Sequence, residues 1–212
     1  MATVLVVLDV DSTLIEQEAI ELLADEAGSG ERVAEITARA MAGELDFAAS
    51  LAERVATLAG LDTGAVHRVG PRIVLTHGAR ELVTGIHAAG GRVAVVSGGF
   101  HELLDPIAAD LALDAHRANR LATADERFTG VTTGPVIDAA AKADALREWA
   151  RRFDVPLHRT VAVGDGANDL AMMAAAGLSI AFDAKPVVRT AAHVSLPERD
   201  LSAVLSVLGL RS

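Results

Sequence analysis

The sequence predicts an α/β protein: a Rossmann-like parallel sheet core with an inserted small helical cap domain. Three observations carry that prediction. A Val-rich apolar run, Val4–Leu8, ends abruptly in Asp9 and Asp11. From Gly78 onward strand-like and helix-like patterns alternate, as the β-α units of a parallel sheet do. Between the two lies a block of consecutive helices, about Leu14 to Thr76, without a strong strand inside it. The expected division is a discontinuous core, residues 1–13 and 77–212, and a helical cap, residues 14–76.

Each element has its own reason. Val4–Leu8 is apolar on both faces and β-branched, as a buried strand should be. Ile15, Ala19, Leu22 and Leu23 recur at helical spacing and stop at Gly28-Ser29-Gly30. Val33, Ile36 and Ala40 mark a second helix ending near Gly43, and Phe47, Leu51, Val55 and Leu58 a third ending at Gly60. A weaker fourth runs from Asp62 to Val69. Helix Ala79–Ala89 then precedes strand Arg92–Val96, which ends in Ser97-Gly98-Gly99-Phe100, and helix His101–Leu113 follows. Short alternating runs over Ala118–Thr133, around Ala124-Asp125-Glu126, predict a small hairpin. Helix Asp138–Arg152 precedes strand Thr160–Val163, which ends in Gly164-Asp165-Gly166. Helix Asn168–Ala176, strand Leu178–Phe182, a short strand at His193–Ser195 and a helix at Leu201–Leu208 complete the pattern.

Composition narrows the function. A net charge of −10 argues against broad binding to a nucleic-acid backbone. Aromatic residues are 3% and Tyr is absent, which argues against base-stacking platforms as well. There is no Cys, hence no disulfide, thiolate catalysis or Cys-type zinc site. No apolar run has membrane length, and the first one meets Asp9 at once without a basic leader or cleavage site. A cytoplasmic enzyme without an appended regulatory domain is the expectation, and a homodimer is left open. The seven histidines show no ligand spacing, and Trp149 reads as core beside Leu146 and Phe153.

Three strands thus end in polar or glycine-rich clusters, and in open α/β sheets ligands bind at such carboxyl ends. Asp9 and Asp11 stand two apart, so they leave an extended chain on one side. They repel each other, and a bound cation is the usual remedy; the plain alternative is that they cap the next helix. Ser97-Gly98-Gly99 offers a hydroxyl and approachable backbone N–H groups, either an anion cradle or a simple strand-to-helix turn. Asp165 and Asp169, in Gly-Asp-Gly-x-Asn-Asp, add two more acids. Four carboxylates on one pocket call for a hard divalent cation, and carboxylates with phosphate oxygens and water describe Mg²⁺. Lys142 lies early in its helix, where periodicity alone does not separate it from Arg147 or Arg151.

Asp9-x-Asp11-Ser12-Thr13, Ser97-Gly98-Gly99, Lys142 and Gly164-Asp165-Gly166-x-Asn168-Asp169, in this order and spacing, resemble the haloacid-dehalogenase-like phosphatases. Met41-Ala42-Gly43-Glu44-Leu45-Asp46-Phe47 and the helical insert resemble the branch that dephosphorylates O-phospho-L-serine, the last step of L-serine biosynthesis. The resemblance implies that Asp9 is a nucleophile forming an aspartyl-phosphate and that Asp11 is the general acid and base. It implies Mg²⁺ held by Asp9, the Asp11 carbonyl and Asp165, with Asp169 supporting that shell or Lys142. Ser97, the Gly98 N–H, Lys142 and Asn168 would bind the substrate. Lys185-Pro186 resembles a segment of that branch, without an assigned role.

The cap offers a separate argument. Glu18 has Ile15 before it and Leu22 after it, and Arg54 has Leu51 and Leu58, so both charges fall on apolar helical stripes. They either pair with each other or flank a zwitterion, Arg54 taking a carboxylate and Glu18 an ammonium. The resemblance favours the second. Met41 and Phe47 would cover the substrate or serve as cap core. A sugar-phosphate phosphatase, a phosphotransferase to another alcohol and a non-enzymatic phosphate binder are the competing readings. Only a substrate with an ammonium suits Glu18, and a binder needs no nucleophile.

Overall fold

The computed structural model describes residues 3–210. It contains a seven-stranded sheet, parallel except at one edge, with helices on both faces, as the sequence predicts. The strands are β1 (Leu5–Leu8), β2 (Arg92–Phe100), β3 (Ala115–Ala124), β4 (Arg127–Thr133), β5 (Thr160–Gly164), β6 (Leu178–Phe182) and β7 (Val194–Leu196). Their order is β4-β3-β2-β1-β5-β6-β7, which puts β1 at the centre. Among the helices, α1 (Ala19–Ala27), α2 (Gly30–Met41), α3 (Phe47–Ala56) and α4 (Ala65–Val69) form the block between β1 and the rest. The others are α5 (Ala79–Ala88), α6 (His101–Asp110), α7 (Ala139–Arg152), α8 (Leu170–Ala175), α9 (Pro186–Ala191) and α10 (Ala203–Val207).

The period-two pattern of the strands divides the core. Val6, Leu8, Val93, Val95, Val161 and Val163 face α5 and α10, and Leu5, Val7, Ala94, Val96 and Ala162 face α7 and α8. Trp149 is buried in the second layer, as its place beside Leu146 predicts. A third apolar cluster joins α1, α3 and α4 to Phe100 and Leu103, and to Leu121 and Phe128 of the β3–β4 hairpin. The helical block shares its core with the sheet domain.

Two backbone connections hold that block. Near its ends, Glu16 N–H donates to Val74 O at 2.9 Å and Thr76 N–H to Leu14 O at 2.9 Å. After α3, Gly60 N–H donates to Phe128 O at 2.8 Å, Phe128 N–H to Leu61 O at 2.9 Å and Thr63 N–H to Glu126 O at 2.9 Å. The segment after α3 is thus strapped along β4.

Several elements differ from the expectation. The first helix starts at Ala19, because the chain leaves β1 through one wide turn, Val10–Leu14, with Ser12 at φ 56°. Ile15 instead forms an isolated bridge with Leu75. β2 continues to Phe100 through a bulge: Val96 pairs with Arg117 and Phe100 with Asn119, so the strand holds two extra residues. β3 starts at Ala115 and joins the sheet parallel to β2 before turning back as the predicted hairpin. Helix α9 was not expected, although Pro186 at its first turn is a start signal.

Candidate active site

Leu8 is level with Val95 on one side and with Val163 on the other. Asp9, Ser97 and Asp165 therefore leave three adjacent strands within a residue of one level. This is the carboxyl end, at the place where the chain reverses its direction across the sheet. Asp9, Asp11, Gly98, Asp165 and Asn168 line one cavity of about 610 Å³, and Glu18 and Arg54 line it from the helical block. Ser97 and Lys142 stand behind the wall, 1% and 0% exposed.

Lys142 is held between two acids, at 2.7 Å from Asp9 Oδ1 and 2.8 Å from Asp169 Oδ1. Asp9 Oδ1 also accepts from Val10 N–H at 2.7 Å, and no protein hydrogen bond reaches Asp9 Oδ2 among the described residues. The second Asp169 oxygen accepts from Gly166 N–H at 3.1 Å. Gly164 is required beside it, since a Cβ there would collide with the Asp169 carboxyl. Burial, and after it the charge of Asp169, holds the Asp9 carboxyl well above the ordinary range. Burial pulls the Lys142 ammonium down, but Asp169 and Asp9 more than reverse this and raise it. Asp165 is also raised, by burial and by Asp169, although Thr13 Oγ1 donates to it at 3.2 Å.

These acids fit a divalent cation. Oxygens of Asp9, Asp165 and Asp169 lie within 4.8 Å of one another, with Lys142 between Asp9 and Asp169 and Lys185 on the side of Asp165. Asp169 is already engaged on both oxygens, which leaves Asp9 and Asp165 as the available pair. An all-oxygen set of this kind suits Mg²⁺.

Asp11 occupies the other side of the pocket. Its Oδ1 accepts from Ala19 N–H at 2.7 Å and its Oδ2 from Ser97 Oγ at 2.8 Å. The helix-capping alternative is thus partly realised, since Ala19 is the first residue of α1. Burial, then the nearby Glu18 charge, pushes Asp11 up to about 6. Gly99 packs against this carboxyl, and a Cβ there would sit 2.8 Å from Asp11 Oδ2.

The stripe argument for Glu18 does not hold, because Glu18 precedes α1 and Ile15 is outside the helix. Glu18 nevertheless reaches the cavity, its Oε1 accepting from Ser12 Oγ at 2.7 Å. Arg54 is half-buried on α3, with Nε donating to Ser50 O at 3.3 Å. No carboxylate lies within ion-pair distance of it among the described residues, so the direct Glu18–Arg54 bridge is absent. Burial lowers the Arg54 guanidinium, while Glu18, Asp11 and Glu21 favour its charge. Phe47 lines the cavity against Gly98, and Met41, 72% exposed, stands at its rim.

Two features were not read from the sequence. Asn119 is a buried polar residue that braces the site and shows no pattern of its own, while Thr13, which stands in the first motif, proves to be buried and to brace Asp165. His101 and His116 converge on Asp105 Oδ1, at 2.6 and 3.0 Å. They form no metal site as they stand. Ala118 N–H donates to His101 Nε2, so Nδ1 of the neutral ring carries the proton and has no lone pair for a metal.

A carboxylate–lysine cluster at the switch point of an α/β sheet can hold a divalent cation beside an anion. The haloacid dehalogenase-like hydrolase family model matches residues 6–174, and the chain belongs to that family. It is 53% identical over 206 residues to phosphoserine phosphatase of Streptomyces coelicolor, covering 97% of this chain and 50% of that one. It is 50% identical to phosphoserine phosphatase of Lactococcus lactis, covering 95% and 93%. The chain thus spans about half of the first relative and nearly all of the second. A solved phospho-aspartyl intermediate analogue of phosphoserine phosphatase superposes with a TM-score of 0.92 at 42% identity, over 98% of this chain and 99% of that one.

Proposed function

We propose that this chain hydrolyses O-phospho-L-serine to L-serine and phosphate through an aspartyl-phosphate on Asp9. The observation that carries the reading is the cavity itself. It joins a buried nucleophile-type carboxylate to an unpaired guanidinium and a separate carboxylate, about as a phosphorylated amino acid requires. The names of the similar proteins support it.

In the first half-reaction Asp9 Oδ2 attacks phosphorus. The P–O bond to serine breaks as the P–O bond to Asp9 forms, and Asp11 gives its proton to the departing serine oxygen. In the second half-reaction Asp11 takes a proton from water, whose oxygen displaces Asp9 from phosphorus. Gly98 N–H and Lys142 would hold the phosphoryl oxygens, where charge accumulates, and Ser97, whose hydroxyl donates to Asp11 in this structure, would turn to them once Asp11 is protonated and substrate is bound. Asn168 would bind substrate beside them. Asp9, the Asp11 carbonyl and Asp165 would hold Mg²⁺, which supplies charge neutralisation when bound. Arg54 would take the substrate carboxylate and Glu18 its ammonium. Residues 14–76 would act as a cap that keeps bulk water from the intermediate.

No helix among the described residues is long and apolar enough to cross a membrane. A cytoplasmic place in L-serine biosynthesis belongs to the same proposal, which leaves a homodimer open. The test is phosphate release from O-phospho-L-serine with Mg²⁺, against sugar phosphates and phosphoglycolate. A strong preference for phosphoserine is expected. Equal use of the panel would keep the phosphatase and discard the zwitterion clamp. Asp9→Asn should abolish turnover in a folded protein.

A further inference from the structure

Asn119 lies on β3 outside the cavity, 1% exposed, and both ends of its amide are used. Its Nδ2 donates to Gly98 O at 2.8 Å, and its Oδ1 accepts from Ile137 N–H at 2.9 Å. Gly98 belongs to the bulge in β2, where the ladder to β3 is interrupted between Val96 and Phe100. The side chain therefore replaces a missing ladder bond. Ile137 stands just before α7, whose first turn carries Lys142.

The carbonyl of Gly98 and the N–H of Gly99 are two ends of one peptide plane. That N–H donates to Ser97 Oγ at 2.7 Å, and Ser97 Oγ donates to Asp11 Oδ2 at 2.8 Å. A serine hydroxyl has one proton. With Gly99 N–H on its lone pair, that proton is directed to Asp11. Rotating the peptide would exchange its two ends, offer Ser97 an acceptor and draw the proton away from Asp11. Two successive glycines present no Cβ to oppose such a rotation.

We propose that Asn119 is a positioning residue. Its amide fixes the Gly98–Gly99 peptide, and through it the Ser97 hydroxyl, while tying the bulge to the start of α7. It rests on the phosphatase reading for what the site does. Asn119→Ala removes both bonds. Asn119→Asp keeps an acceptor for Ile137 N–H and sets a carboxylate against the Gly98 carbonyl.

The test combines both variants with Ser97→Ala in a double-mutant cycle, reading kcat/KM for O-phospho-L-serine, orthophosphate affinity with Mg²⁺ by calorimetry, and Tm. Each single variant is expected to lose kcat/KM on the order of 10²-fold, as small misplacements do. The double variants should lose no more than Ser97→Ala alone, in turnover and in orthophosphate affinity. Fully multiplying losses would overturn the proposal, as would Asn119 variants whose only change is a lower Tm. Absence of wild-type phosphoserine turnover would sink the substrate reading instead, and the orthophosphate cycle would still decide the role of Asn119.

Discussion

At the scale of single residues, the pocket is a balance of charges, and its sign can be tested. Asp11 must carry a proton when the serine oxygen leaves. Its pKa is raised to about 6 by burial and then by Glu18. The acid form is therefore abundant below about pH 6 and lost above it, so kcat/KM should fall on the alkaline side of that value. Glu18→Gln removes one of the raising charges, and the alkaline limb should move to lower pH. An unmoved limb in a pH–rate profile would exclude Glu18 from that role. Arg54→Ala should lower kcat/KM for phosphoserine on the order of 10²-fold, the loss of charged hydrogen bonds, and spare small generic phosphate esters. Equal losses on both substrate types would make Arg54 a structural residue. Sequence made part of this legible, since Asp9, Asp11 and Asp165 fall in dense motifs, whereas Lys142 stood out from its helix only through the family resemblance. It hid Asn119 as a brace, because a lone buried polar residue has no period.

At the scale of elements, strand ends set the site and the turns beyond them refine it. β1, β2 and β5 were readable as apolar runs, but their adjacency was not, since strand order depends on long-range pairing. The helical pattern over Ile15–Leu23 misled for a local reason: the wide turn at Val10–Leu14 consumes residues that would otherwise start α1. That turn brings Ala19 N–H to Asp11 and Glu18 to the cavity. The β2 bulge has its own test. Gly99→Ala would push a Cβ to 2.8 Å from Asp11 Oδ2, and should cut kcat on the order of 10²-fold. Normal turnover in that variant would show that the bulge has room to give. On α7, Lys142→Met leaves Asp9 and Asp169 without their buried partner. Such a loss typically costs about 3–5 kcal/mol, so Tm measured without Mg²⁺ should drop markedly.

At the scale of the whole molecule, metal and fold are coupled. Asp9 and Asp165 are held above their ordinary pKa by burial and by Asp169, so their ionised forms are strained in the folded state without a cation. The linkage has a definite sign. A carboxyl raised in the folded state favours folding while protonated, and that gain is lost as pH rises from the unfolded value through the folded one. Mg²⁺ should offset this above that window, and at 100 times its Kd it would add about 2.7 kcal/mol. Thermal melts at pH 7 with Mg²⁺ and with a chelator measure the difference; superimposable curves would argue against a cation at these acids. The strap between Gly60–Thr63 and β4 reaches further than the pocket. β4 is the outermost strand of its side of the sheet, and an open outer strand is a template for another chain. Backbone groups of Phe128 are already taken by Gly60 and Leu61. The opposite edge, β7, is only three residues long. The helical insert thereby covers the Glu126–Phe128 end of this edge against pairing with a strand of another chain. A core from which it has been excised bares both this edge and the apolar cluster that the insert shares with the sheet, and should self-associate, a change that light scattering would register even where no catalysis is measured.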